Sequence, residues 1–228
     1  MFTVLGGALT LFDGPAGYRP AEDSLWLAAL APRSDGPLCD VGCGTGAVGL
    51  AYLSCHKNTP PLSGFDVQSD MIAAANKAAT YNMLGGHFDV GDIASPPYES
   101  ETFSLTLANP PFYDPNREMP THKKEKHLVK FTDYPLTRWL EGMADLTKPG
   151  GSIALIVHKK DEASLIQHAE KLGCFLIKTV TLQGAPHKPG KRIILQFIKN
   201  QKPGQKATAS TILTFDKATR IKFLKETP

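Results

Sequence analysis

Long apolar runs, cysteine pairs and a strong charge of either sign are all missing from this chain. No stretch of its 228 residues is apolar for long enough to span a bilayer. The N-terminus has no basic segment ahead of its short apolar stretch, which Gly6-Gly7 and Asp13-Gly14-Pro15 interrupt, so no secretion signal is expected. The four cysteines, Cys39, Cys43, Cys55 and Cys174, form neither a CxxC pair nor a zinc-binding spacing. They read as small buried fillers in a reducing compartment. The expectation is a cytoplasmic protein with no metal site and no membrane attachment. Net charge is only +3, though lysines gather at Lys123, Lys124 and Lys126, at Lys188, Lys191 and Arg192, and from Lys199 to Lys225. Such clusters are either solvated faces or phosphate-binding surfaces, and at so mild a charge neither reading prevails.

What is present is an alternation. With 42% hydrophobic residues the chain can bury one substantial core. Strands are expected at 37–41, 62–67, 86–90, 103–108, 152–158, 175–182 and 192–199, with helices at 47–56, 69–81, 133–146 and 161–172 between them. Ser69 or Asp70 is the expected cap of the second of these helices, Asp133 and Asp161 those of the later two. Strands separated by helices of this length predict a mostly parallel sheet covered on both faces. Residues 211–215 offer an extra strand beyond a Lys/Gly/Pro linker at 200–209, and 113–130 is a long connection of the kind that tends to be functional.

Two motifs carry chemistry. Asp40-Val41-Gly42-Cys43-Gly44-Thr45-Gly46 sits where the first strand passes into a helix, and glycines there let the chain turn tightly and a ligand approach closely. Gly44-Thr45-Gly46-Ala47-Val48-Gly49 satisfies the dinucleotide GxGxxG by itself, with Asp66 about twenty residues on. The staggered Asp40, Gly42, Gly44 and Gly46 fit instead the D-x-G-x-G-x-G turn of enzymes that use S-adenosylmethionine. An acidic Asp40, placed at the strand end near the mouth, is unwelcome beside pyrophosphate and welcome to an ammonium, which favours the second assignment. Asp66 can accept from ribose hydroxyls in either case.

The second motif is Asn109-Pro110-Pro111-Phe112, at the end of the strand 103–108. The proline pair cannot continue a sheet and stiffens the backbone. Asn109 Oδ1 and the Pro110 carbonyl can accept both hydrogens of a planar NH2 group, and Phe112 can stack on its plane.

These segments together resemble the class I methyltransferases, and among them the small adenine-N6 methyltransferases acting on valine tRNA in bacteria. The resemblance covers nearly the whole chain. It rests on Gly6-Gly7 with Leu9 and Leu11, Gly17-Tyr18-Arg19-Pro20, Asp23, Leu25, the turn from Asp40 to Gly46, Asn109 to Pro115, Lys148-Pro149-Gly150-Gly151 and Lys191-Arg192. It implies an α/β, Rossmann-like class I methyltransferase fold: a seven-stranded, mostly parallel sheet with helices on both faces and a last antiparallel pair. Residues 1–200 would form that domain, with 1–30 closing over the cofactor, and 201–228 a basic C-terminal extension. The cofactor implied is S-adenosylmethionine. Asp40 with Gly42, Cys43, Gly44 and Gly46 would line its methionine part, Asp66 and Val67 its ribose, Asp92 and Ile93 its adenine. Arg19 and Asp23 would close over the amino-acid end. Asn109, Pro110, Pro111 and Phe112 would hold the acceptor. Asp66 stands where related sequences often carry Glu, a shorter arm that still reaches hydroxyls.

The activity implied is methyl transfer to the N6 amine of an unstacked adenine in tRNA, by a monomer or weak homodimer. Release-factor glutamine methyltransferases share Asn-Pro-Pro-aromatic and a segment similar to Arg19-Pro20-Ala21-Glu22-Asp23, but the chain has no room for their N-terminal substrate domain ahead of residue 20. A non-catalytic RNA-binding protein that keeps the fold is a further alternative, against which the intact motifs argue. A nicotinamide oxidoreductase carries little weight.

Overall fold

The computed structural model describes residues 1–56, 60–111, 134–184, 189–200 and 209–214. It begins with a hairpin of β1 (Phe2–Val4) and β2 (Leu9–Leu11), which the sequence pattern does not announce. There follow α1 (Glu22–Leu30), β3 (Leu38–Val41), α2 (Ala47–Cys55), β4 (Leu62–Asp66), α3 (Ser69–Tyr81), β5 (Gly86–Val90) and β6 (Phe103–Ala108). The chain continues through α4 (Leu136–Leu146), β7 (Thr147–His158), α5 (Glu162–Lys171), β8 (Cys174–Gln183), β9 (Arg192–Lys199) and β10 (Ala209–Thr214).

The main sheet has 8 strands in the order β10-β8-β9-β7-β6-β3-β4-β5. The seven expected strands are all there, and the eighth is β10, which lies parallel to β8 at the sheet edge. From β3 to β7 every pairing is parallel, while β9 runs antiparallel to both β7 and β8. This is the class I methyltransferase fold.

The period of two along a strand sorts side chains between the layers. In β7, Ala154 and Ile156 join the core under α1, α2 and α3, whereas Ile153, Leu155 and Val157 join the core under α4 and α5. In β3, Leu38 faces the first layer and Cys39 and Val41 the second. The same alternation puts Asp40 on the face covered by α2. Helix α2 lies very close there, because Gly49 has no side chain: a Cβ added to it would meet Leu62 at 2.8 Å and Asp40 Cβ at 3.2 Å.

Caps differ from expectation. Gln68, not Ser69 or Asp70, is the residue before α3, and its N–H is held by Asp66 Oδ1 at 3.0 Å. Asp161 precedes α5 without a side-chain capping bond. Helix α4 starts after Pro135, and Asp133 lies outside the described residues. Among the described residues no helix is long and apolar enough to cross a membrane.

The topology decides where a ligand can go. From β3 the chain steps outward to β4 and β5, then returns to the other side of β3 as β6. Connections after β3 and after β6 therefore leave the sheet in opposite directions, and a crevice opens between their carboxyl ends. The glycine turn follows β3 and Asn109 follows β6, so two motifs far apart in sequence meet at one place.

Candidate active site

The crevice is a cleft open to solvent on one side. Its lining includes Gly42 and Gly44 from the turn, Asp66, Val67 and Gln68 after β4, Gly91 and Ile93 after β5, and Asn109 and Pro111 after β6. Tyr18, Phe65, Met71 and Trp139 complete it.

The turn is shaped by backbone that only glycine adopts without strain: φ is +65° at Gly42, +52° at Gly44 and +77° at Gly46. Gly42 also permits a close approach, since a Cβ there would lie 2.4 Å from the Trp139 ring. At Gly44 the same test meets nothing within 4 Å, so that side of the turn is open space facing the cleft. Gly46 precedes α2 and packs against Ala75, Leu50 and Phe88. Cys43 is buried, its N–H bonded to the Phe65 carbonyl at 2.9 Å, and burial beside Asp40 pushes its thiol well above the usual range. It is part of the turn's frame, not a nucleophile.

Asp66 holds the turn to β4. Its Oδ2 accepts from Gly44 N and its Oδ1 from Gln68 N, each at 3.0 Å. Burial raises its pKa, against the two backbone bonds that lower it. Each oxygen keeps a further lone pair for a hydroxyl in the cleft. Burial, and next the nearby Asp66 charge, raise the Tyr18 phenol. This residue belongs to the quoted Gly17-Tyr18-Arg19 segment, yet sequence reasoning chose its neighbour.

Asp40 lies behind the turn. It is 0% exposed, does not line the cleft, and spends Oδ2 on the Gly49 N–H at 2.8 Å while Oδ1 has no partner among the described residues. Desolvation pushes its pKa up to about 7. The alternation along β3 could have revealed this, because Leu38 and Asp40 share the face that α2 covers.

Arg19 and Asp23 are both ion-paired, but not with each other, and neither lines the cleft. Arg19 Nε binds Asp13 Oδ1 at 2.5 Å and stacks over Phe2. Asp23 Oδ2 takes Arg192 Nε at 2.9 Å, and Arg192 also meets His158 Nδ1 at 2.7 Å. Asp92 Oδ1 accepts from Ala94 N at 2.8 Å and its other oxygen from the Tyr134 hydroxyl at 3.4 Å. The flanking Gly91 and Ile93 line the cleft where Asp92 does not.

At the acceptor side, Asn109 Nδ2 donates to Ser24 Oγ at 3.0 Å, and Asn109 Oδ1 is buried without a hydrogen-bond partner among the described residues. Pro110 is buried and Pro111 faces the cleft. Phe112, Lys123, Lys124, Lys126 and Lys188 lie outside the described residues. Among those described, no cluster of His, Cys, Asp and Glu is arranged to hold a metal ion.

The residues present fit S-adenosylmethionine. Open space over Gly44, acceptor oxygens on Asp66 and the apolar walls of Ile93 and Phe65 suit an adenosine with a charged amino-acid tail. Sequence reasoning missed Trp139, Phe65, Met71 and Gln68. Trp139 and Met71 sit on the apolar faces of their helices and read as core; only the empty side of Gly42 betrays Trp139.

Comparison with known proteins agrees. Residues 23–131 match the family model described as methyltransferase small domain. The chain is 23% identical over 191 residues to a tRNA1(Val) (adenine(37)-N6)-methyltransferase of Flavobacterium psychrophilum, covering 80% of both chains. It is 34% identical to the release factor glutamine methyltransferase of Vibrio cholerae, but only over 108 residues, 47% of this chain and 36% of that one. Among solved structures, a predicted O-methyltransferase from Agrobacterium tumefaciens superposes with a TM-score of 0.59 at 15% identity, over 85% of each chain. The chain thus has the fold of the class I methyltransferases, a stretch from 23 to 131 similar to the methyltransferase small domain, and a likeness over 80% of its length to an enzyme named for valine tRNA.

Proposed function

We propose that the protein methylates the exocyclic N6 amine of an unstacked adenine in tRNA. The observation that carries this reading is the unpartnered, buried Oδ1 of Asn109 beside the cleft. A buried acceptor left unmade costs about 1–3 kcal/mol, so the site calls for a donor from its substrate. An aromatic NH2 is such a donor, and Pro110 offers a second carbonyl for its other hydrogen. Similarity to the tRNA1(Val) enzymes over 80% of both chains supports adenine in tRNA as the carrier of that amine.

S-adenosylmethionine, when bound, supplies a methyl group on a sulfonium. The chain does the rest. Asn109 Oδ1 and the Pro110 carbonyl orient the amine out of conjugation with its ring and stabilise the positive charge that grows on nitrogen. By analogy with oxyanion donors, one such preset group contributes about 2.7–4 kcal/mol. Pro111 holds the two acceptors rigid, and Asp66 and the glycine turn fix the cofactor's sugar and tail. No strong base is required, because the methylated amine is acidic enough to lose its proton to water late.

The second reading, glutamine N5 methylation in a release factor, draws on the 34% identity to such an enzyme. A carboxamide offers the same NH2 geometry. The test is transfer of labelled methyl to total tRNA and, separately, to purified release factors, with the product digested and identified. N6-methyladenosine supports the first reading; N5-methylglutamine replaces it with the second.

A further inference from the structure

A primary amide is nearly symmetric in shape, so an Asn in a cleft can present either an acceptor or a pair of donors with little change in packing. How firmly it presents one end to the substrate depends on what grips the other. Here that partner is Ser24, in the first turn of α1, 85 positions away in sequence. Asn109 Nδ2 donates to its Oγ at 3.0 Å, and Ser24 itself is 4% exposed, so no bulk water competes for the bond. Asn109 Oδ1 then remains buried and unpartnered among the described residues.

We propose that Ser24 is a positioning residue for the acceptor site: by bonding Asn109 Nδ2 it locks the plane of the amide at the cleft wall, so that Oδ1 is held at one place to meet the substrate's N–H. This rests on the reading of Asn109 as the group that holds the substrate amine. Helix α1 is well suited to impose such a lock. Its first turn is pinned to the sheet by Asp23, whose Oδ2 takes Arg192 Nε at 2.9 Å. The stiff Pro110-Pro111 pair fixes the other partner. Two rigid elements thus meet at one hydrogen bond. With the hydroxyl gone, the amide end facing residue 24 is unpaired in either orientation, and nothing holds the side chain against rotation. An amide free to turn spends part of its time with hydrogens toward the substrate's hydrogens, or out of reach of them.

The test compares wild type with Ser24→Ala and Ser24→Thr. Ser24→Ala removes one atom from a buried site and Ser24→Thr keeps the hydroxyl. Expected is a fall in kcat of about tenfold or more for Ser24→Ala, the equivalent of one buried hydrogen bond, with cofactor Kd unchanged and substantial recovery in Ser24→Thr. The readout independent of turnover is the side-chain 15NH2 signal of Asn109, assigned by its loss in Asn109→Ala. In the folded protein one of its hydrogens should exchange slowly, and Ser24→Ala should accelerate that exchange by about tenfold. Unchanged exchange and unchanged kcat in folded Ser24→Ala would overturn the proposal. Wild type that methylates neither RNA nor protein would overturn the functional reading instead, and the exchange measurement would still decide the lock.

Discussion

Asp66 and Gly44 are joined by a 3.0 Å hydrogen bond from the Gly44 N–H to Asp66 Oδ2, so the residue expected to bind ribose also holds the glycine turn in shape. Asp66 Oδ1 does the same for Gln68 N. One carboxylate thus ties together the ends of β3 and β4 and the start of α3 before any ligand arrives.

Asp66→Ala should therefore weaken cofactor binding strongly, by about tenfold or more, since one change loses hydroxyl acceptors and loosens the turn. Asn109→Ala should do the opposite. Its kcat should drop by about 100-fold or more with cofactor Kd within about threefold, because Asn109 belongs to the acceptor side. Isothermal titration with S-adenosylhomocysteine and single-turnover transfer separate the two. Equal losses in both quantities for Asn109→Ala would assign the amide to the cofactor pocket.

Gly42 and Gly44 should respond differently to the same methyl group. Both have positive φ, so each alanine pays a backbone strain of about 1–2 kcal/mol. Gly44→Ala meets nothing else within 4 Å; the protein should fold and lose cofactor affinity, because its Cβ occupies cleft space. Gly42→Ala collides with Trp139 and should lose about 2–5 kcal/mol in total. Denaturant titration of both variants, with and without cofactor, reads the contrast.

Asp40 makes stability depend on pH in a direction opposite to most carboxylates. Burial raises its folded pKa to about 7 from the ordinary 3.8. Between those values the folded state binds the proton and the unfolded state does not, so this stabilisation is complete below about pH 4 and is lost as pH rises to about 7. Lowered pKa values at His56 and His158 act the other way in part of this window, so the comparison is with Asp40→Asn. That variant should show a flatter stability profile from pH 5 to pH 8. Parallel profiles for both proteins would place the Asp40 proton elsewhere.

Asp23→Ala tests whether that residue serves the fold or the cofactor. The Asp23–Arg192 pair is only 20–26% exposed at its side chains, between a surface and a buried ion pair. Its loss should cost about 1–2 kcal/mol of stability and leave cofactor Kd within about threefold. A large loss of cofactor affinity with an unchanged melting temperature would restore Asp23 to the cofactor's tail.

Much of the architecture was legible beforehand. The strand at 103–108 and the helix at 69–81 fall where alternation and periodicity put them, as β6 and α3 do in the structure. The candidate site was legible where function demands a backbone property: glycines at positive φ, and prolines that end a strand. It was not legible where function is carried by an ordinary core residue. Trp139 looks like the apolar face of α4 and Ser24 like any polar residue in a first helical turn, because nothing local distinguishes them. Both meet partners far along the chain, Trp139 at Gly42 and Ser24 at Asn109.

Sequence by itself therefore determined the fold class, the turn after β3 and the strand-ending prolines after β6, since these follow from short-range rules of backbone conformation and side-chain period. Tertiary structure alone decided that Asp40 lies under α2, that Asp23 pairs with Arg192, and that Ser24 holds the Asn109 amide. A carboxylate or an amide can point to a ligand, to a helix or to a partner far along the chain. Only the packing of the layers settles which of these is within 3 Å.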